Sequence, residues 1–281
     1  MAEKDISQKI LEDKPDVFAD IVNGLCFNGR EIIKPDELQS INGITAYDDK
    51  KKYRYIQRDI TKLWKKGIFN IACLGIENQI SKDNTMPLRV IAYDGTQYKN
   101  QANDKVSNYY PVITLVLYFG KTKWKKPLSL FDLFDVPLEL KPFTNDYKMN
   151  LFDISHMSTK EVSVFKSDFW HIADYFSQIN ETNSYIPSKT RLTHPEETFK
   201  LMSFLTGNED LQLLPCEEEG GPNTMYDAFK ANAAQAKKEG IQESRLNDIR
   251  ALMNNCHWSA KQAMDALSIS LEEQKKYLML L

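Results

Sequence analysis

The feature that most constrains this chain is the run Phe69-Asn-Ile-Ala-Cys-Leu-Gly-Ile76, nearly continuous in apolar residues and followed at once by Glu77-Asn78-Gln79. A run of that length without helical periodicity reads as an interior strand, expected over Ile68 to Ile76 and prolonged by the three polar residues. Side chains two apart on a strand share a face, so Glu77 and Gln79 look into a common space. A buried strand that ends in a carboxylate and an amide marks a place where chemistry is to be sought.

The elements around that strand outline an α/β chain. Pro87 opens a helix to about Ala102, and Tyr110 to Tyr118 forms the strongest strand, with another over Tyr147 to Ile154. Upstream, helix is expected from about Ile6 and again over Asp16 to Leu25, and Asn28 to Tyr53 reads as an irregular surface excursion. Downstream, helices are expected over Thr159 to Gln178, over Pro195 to Leu205 and beyond Met225. The acidic, glycine-bearing stretch Cys216 to Asn223 is the clearest linker signal. It divides the chain into a domain of residues 1–215 and a helical C-terminal region of residues 222–281. In the tail, Arg245 to Leu281 reads as two short helices, with Ser259 and Ser270 as N-caps, a pattern open to dimerisation or to a helix-turn-helix.

With 281 residues, 42% of them hydrophobic, the chain buries one substantial core with room for an appendage. A net charge of -3 excludes a histone-like polycation, so affinity for a polyanion must come from local patches. The four cysteines form no CxxC pair and the four histidines stand at no metal-ligand spacing, which argues against a zinc site or a disulfide framework. The charged N-terminus and the lack of an apolar run near the roughly 18 residues of a spanning helix lead to an expected cytoplasmic location, away from membranes.

A second acid, Asp59 in Tyr-Ile-Gln-Arg-Asp-Ile-Thr-Lys-Leu-Trp, is joined to the apolar strand through the turn Lys65-Lys66-Gly67, which lets the two segments run side by side. The segment supports Asp59 either at a strand start or at the end of a preceding helix. Two converging carboxylates offer hard oxygen ligands for Mg²⁺, or another divalent cation such as Mn²⁺, which takes one or two carboxylates with waters and phosphate oxygens. The chemistry that follows is phosphodiester hydrolysis, with Asp59 and Glu77 on the metal and Gln79 orienting water or phosphate. The plainer alternative is a solvated acid at a strand end and an Asp59 paired with Arg58 or Lys62.

The ordered set of Asp59, Ile76-Glu77-Asn78-Gln79, Met86-Pro-Leu-Arg89-Val-Ile-Ala-Tyr93, Tyr110-Pro-Val-Ile-Thr-Leu-Val-Leu-Tyr118-Phe-Gly120 and Trp124 resembles the PD-(D/E)XK nuclease family transposases, also called recombination-promoting nucleases. The resemblance runs over about Asp16 to Ile154. It implies a restriction-endonuclease-like core, a mixed sheet flanked by helices, and a metal-dependent cut in DNA linked to recombination. By position Asp59 matches the metal-binding aspartate, Glu77 the second acid and Gln79 the residue after the spacer. Gln79 stands where the superfamily usually has lysine, which leaves the source of positive charge open, with Lys82 and Lys62 nearby in sequence as candidates.

Arg89, Tyr93 and Gln97 fall on one helical face, which makes Arg89 a substrate contact and Tyr93 either an accessory or a core residue. Asp16 and Asp20 are candidate accessory carboxylates. The loop Lys121-Thr-Lys123-Trp124-Lys125-Lys126 mixes cations with an aromatic ring, as a loop gripping a nucleic-acid backbone would. Cutting both strands calls for two active sites, hence an expected homodimer seated in the tail, and no small-molecule cofactor is expected. The alternatives are a transposase-derived module that binds DNA or protein without catalysis, and a nuclease acting on RNA through the same metal site.

Overall fold

The computed structural model describes residues 11–41, 44–49, 52–57, 59–104, 106, 108–216 and 220–281. They form two compact units, Met1–Tyr226 and Asp227–Leu281. The first is built on a mixed five-stranded sheet whose strands are β1 (Leu38–Ser40), β4 (Ile60–Lys66), β5 (Phe69–Gln79), β6 (Val112–Tyr118) and β7 (Asn150–Asp153), in that spatial order. β1, β4 and β5 pair antiparallel, whereas β5, β6 and β7 run parallel. A separate hairpin, β2 (Ile44–Asp49) with β3 (Lys52–Gln57), leads into β4. With helices on both faces this is an α/β, restriction-endonuclease-like architecture.

Strand alternation decides what each face carries. On one face Val116 and Tyr118 of β6 pack with Met86, Val90 and Tyr93 of the helix α2 (Met86–Asn103), together with Trp124 and Met149. Pro87 in the first turn starts that helix, and the Asp83 carboxylate fixes the turn before it by accepting from the Thr85 N–H at 2.8 Å and hydroxyl at 2.6 Å. On the opposite face Leu115 and Leu117 are wholly buried beneath helices. There the helix α1 (Pro15–Phe27) buries Val17, Phe18, Ile21 and Val22, and Phe119, just past β6, meets Phe176 of the helix α4 (Phe169–Thr182) at 5.1 Å between ring centroids.

Three expectations are corrected. Asn28 to Tyr53 is not an irregular excursion: it holds β1, the short edge strand of the five-stranded sheet, and the β2–β3 hairpin. The segment is tied down by Asn23, whose buried side chain donates to the Ile33 carbonyl at 2.8 Å and accepts from the N–H groups of Ile32 and Ile33. The helix expected over Thr159 to Gln178 is broken into α3 (Thr159–Val162) and α4, because the Asp20 carboxylate takes the N–H groups of Lys166 and Ser167 and the Ser167 hydroxyl out of the helical ladder. The tail is not two short helices: the segment holding Ile249, Leu252 and Met253 is the end of the long helix α6 (Met225–Cys256), which follows α5 (Pro195–Thr206).

Beyond α6 lie α7 (Ala260–Ala266) and α8 (Leu271–Leu278), capped by Ser259 and Ser270 as the sequence indicates. The second unit has its own small core of Ile249, Ala263, Met264, Ile269 and Tyr277. Among the described residues no helix is long and apolar enough to cross a membrane.

Asn23→Ala removes all three of its bonds and strands the buried N–H and carbonyl of Ile33, so it should destabilise the N-terminal unit by about 2 kcal/mol. A urea titration followed by far-UV dichroism measures this. A loss below about 0.5 kcal/mol would show that the bridge from α1 to the β1 segment contributes little.

Candidate active site

Glu77 and Gln79 sit at the C-terminal end of β5, opposite Val116 and Tyr118 of the parallel neighbour β6. In open α/β sheets ligands gather at this edge, outside the carboxyl ends of parallel strands. Ile60 pairs with Ile76, which brings Asp59 to the mouth of the same strand. Asp59 thus precedes a strand, and its Oδ2 accepts from the Asn78 N–H at 2.8 Å.

The carboxylate of Glu77 is nearly buried, with its Oε2 without a partner. Its Oε1 meets the Arg89 guanidinium, and the Gln79 amide donates to that same oxygen at 3.2 Å. Arg89 also reaches Asp83 at 3.1 Å and the Tyr93 hydroxyl at 3.0 Å, all from the first two turns of α2 or the turn before it. The polar face expected from Arg89 and Tyr93 is therefore turned to Glu77. Tyr93 serves both purposes weighed for it, because its ring is in the core while its hydroxyl lies in the site.

Asn78 points to the other face of the sheet. Its amide donates to Glu12 Oε2 at 2.5 Å, and Glu12 is wholly buried. Glu12 Oε1 and Asn78 Oδ1 are both without partners. Glu12 carries no mark in the sequence, since it stands in a stretch of charges where solvent exposure is the default. Only its burial beneath the sheet sets it apart.

The electrostatics are those of surplus negative charge. Burial, reinforced by the charge of Asp59, raises the Glu77 pKa to about 8 even though Arg89, the Asp59 N–H and Tyr93 pull the other way. Burial also raises Glu12 to about 8, with the Asn78 amide opposing the shift and Asp59 adding to it. Tyr93 is pushed up to about 12, by burial first and then by Glu77. A divalent cation would relieve this crowding at Glu77, whose partnerless Oε2 is a hard donor that suits Mg²⁺ or Mn²⁺, whereas Glu12 lies behind the strand. Among the described residues, however, no group of three or more His, Cys, Asp or Glu forms a ready cage.

Other candidates lie elsewhere. Lys62 is on the Asn78 face of the sheet, buried, and gives its ammonium to the Asp13 carboxylate at 2.6 Å, the Asp13 carbonyl and the Ser40 hydroxyl. It therefore does not replace the missing lysine. Lys82 is exposed in the turn after β5. Asp16 pairs with His194 at 2.9 Å, and Asp20 holds the turn before α4. Lys121, Lys123 and Lys125 are exposed after β6, on the same edge of the sheet as Glu77. Trp124, expected to offer a stacking ring among them, is instead buried against Tyr118 at 5.1 Å and donates to the Pro127 carbonyl.

A family model described as "Putative transposase, YhgA-like" matches residues 62–181. Residues 62–181 are similar to that transposase family. This segment runs from β4 to the end of α4 and contains Glu77, Gln79, Arg89, Tyr93 and the lysine loop, while Asp59 and Glu12 lie upstream of it. No curated protein and no solved structure matches the chain.

The raised acids have a consequence for stability. Between the ordinary carboxylate value near 4.5 and about 8 the folded chain holds protons that the unfolded chain has released, so stability falls as pH rises through that window and levels off above it. Glu12→Gln removes one such group. Its melting temperature should exceed that of the parent chain at pH 8.5 and lose that advantage at pH 4, in buffers with chelator. Parallel melting curves for the two chains across the window would show that Glu12 does not hold a raised pKa.

Proposed function

We propose that the N-terminal unit is a metal-dependent DNA endonuclease of the transposase-like, recombination-promoting type. The observation that carries this reading is the convergence of Asp59 and the nearly buried Glu77 at the C-terminal end of a parallel strand, with one Glu77 oxygen left without a partner. The family over residues 62–181 supports the same reading.

Asp59 and Glu77 would hold the cation, Mg²⁺ or Mn²⁺, from the end of β5. When bound, it would supply a Lewis acid that acidifies water and offsets charge growing on the phosphate. Asn78 locks the position of Asp59 through its backbone N–H, while its side chain anchors Glu12 behind the strand. Gln79 is neutral and donates one hydrogen bond to Glu77, so it orients without contributing charge. The charge comes from Arg89, whose half-exposed guanidinium forks between Glu77 and Asp83 and can turn one edge to a phosphate. Lys121, Lys123 and Lys125 add substrate contacts along the same edge, and a homodimer would bring two such sites to the two strands.

One observation favours a second reading. The guanidinium of Arg89 already neutralises Glu77 Oε1, as it would in a protein that keeps the fold and binds DNA or protein without cutting. Supercoiled plasmid separates the two readings. In Mg²⁺ or Mn²⁺ the parent chain should nick it, chelator should abolish nicking, and Asp59→Asn or Glu77→Gln should slow it by at least about 100-fold, the scale of losing one electrostatic stabiliser. Cleavage that survives both substitutions would remove the site assignment, and no cleavage with any divalent ion would favour the binding module. A matched single-stranded RNA, cut in preference to DNA, would transfer the same site to RNA.

A further inference from the structure

Within the C-terminal unit, α6 and α8 enclose a groove of about 290 Å³ lined by Ala234, Lys237, Lys238, Ile241, Gln242 and Arg245 from α6 and by Glu273, Lys276 and Tyr277 from α8. The α6 residues recur at the three- and four-residue spacing of one helical face. Four of the lining side chains are cations. The single carboxylate, Glu273, meets Arg245 through one nitrogen at 3.2 Å, both side chains being half-exposed, and the lining as a whole keeps a net charge of about +3.

We propose that this groove binds the sugar-phosphate backbone of a nucleic acid. The proposal rests on the nucleic-acid reading of the N-terminal unit for its biological sense, although its chemistry stands on the C-terminal unit alone. Lys237 and Arg245 are eight residues apart on α6, which is about 12 Å along the helix. Cations spread over that length span the axial rise of three to four nucleotides of one strand, at about 3.4 Å each. A single phosphate or carboxylate would leave most of the row unused.

The walls also say which part of the nucleic acid is met. Tyr277, the lone aromatic side chain of the lining, is 5% exposed and belongs to the unit's core, so no ring is presented for a base to stack on. Ile241, about half exposed, and Ala234 give the floor an apolar strip between the lysines. Contacts are then with phosphate and sugar, independent of sequence, and a duplex is bound at least as well as a single strand. The groove is held open by its own supports, since α8 is packed on α6 through Ile249 and Tyr277 and through the bond from Arg250 to the Leu280 carbonyl at 2.9 Å.

The test uses the full chain carrying Glu77→Gln, in chelator, with fluorescence anisotropy of a labelled 30-base-pair duplex and of the matching single strand over a series of salt concentrations. Replacing Lys237, Lys238 and Lys276 by Gln should weaken duplex binding at least about tenfold and flatten the plot of log affinity against log salt by about 2 to 3 units, near 0.9 for each cation lost. A control with the same change of net charge replaces Lys230, Lys261 and Lys275, none of which lines the groove. Far-UV dichroism checks that both variants remain helical. An unchanged slope in the groove variant would overturn the proposal, and so would equal losses in the two variants, which would mark net charge as the cause. Tighter binding of the single strand would overturn the backbone assignment. None of these outcomes depends on cleavage, so the groove and the nuclease site fail or stand separately.

Discussion

Everything at the candidate site depends on carboxylates held close together at the end of one buried strand. Glu77 is nearly out of water, Asp59 stands at the mouth of the same strand, and Glu12 is wholly buried behind it. Against them the described site sets one cation in contact, Arg89. Burial of a charged carboxylate is costly unless it is paired, and the protein answers by raising the pKa of two of the acids to about 8. Such an arrangement weakens the fold at neutral pH and is the kind of strain that functional sites retain.

The strand's alternation turns that crowding into order. Glu77 and Gln79 face α2, where Arg89 and Tyr93 rise from the first turns of a helix started by Pro87 and positioned by Asp83. Asn78 faces the other way and fastens Glu12, while its backbone fixes Asp59. One tripeptide therefore sets three acids from three parts of the chain. The parallel pairing of β5 with β6 then brings the lysine-bearing loop after Tyr118 to the same edge.

Much of this was legible in the sequence where a local rule governed. The apolar run before Glu77 announced β5, Pro87 announced α2, and Ser259 and Ser270 announced the caps of the last two helices. What escaped was set by contacts distant in the chain. Glu12 meets Asn78 across 66 residues, and a glutamate among lysines and aspartates looks solvated until a sheet closes over it. Lys62 looked available beside Asp59, yet its position on β4 turns it to the opposite face and into Asp13. Asp20 resembled an accessory ligand because a carboxylate on a helix face has no label for the turn it will hold 146 residues later. Trp124 lay among lysines and was drawn into the core by Tyr118.

The central claim is that the crowded acids form a cation site, and its most direct measurement is the proton count of cation binding. Calorimetric titration of the full chain with Mn²⁺ at pH 7, repeated in two buffers of different ionisation enthalpy, yields the number of protons released. Glu77, with a pKa near 8, is largely protonated at that pH, so binding should release about one proton per cation, and Glu77→Gln should abolish binding or bring the release close to zero. Binding without proton release, or binding that Glu77→Gln leaves unchanged, would contradict the account.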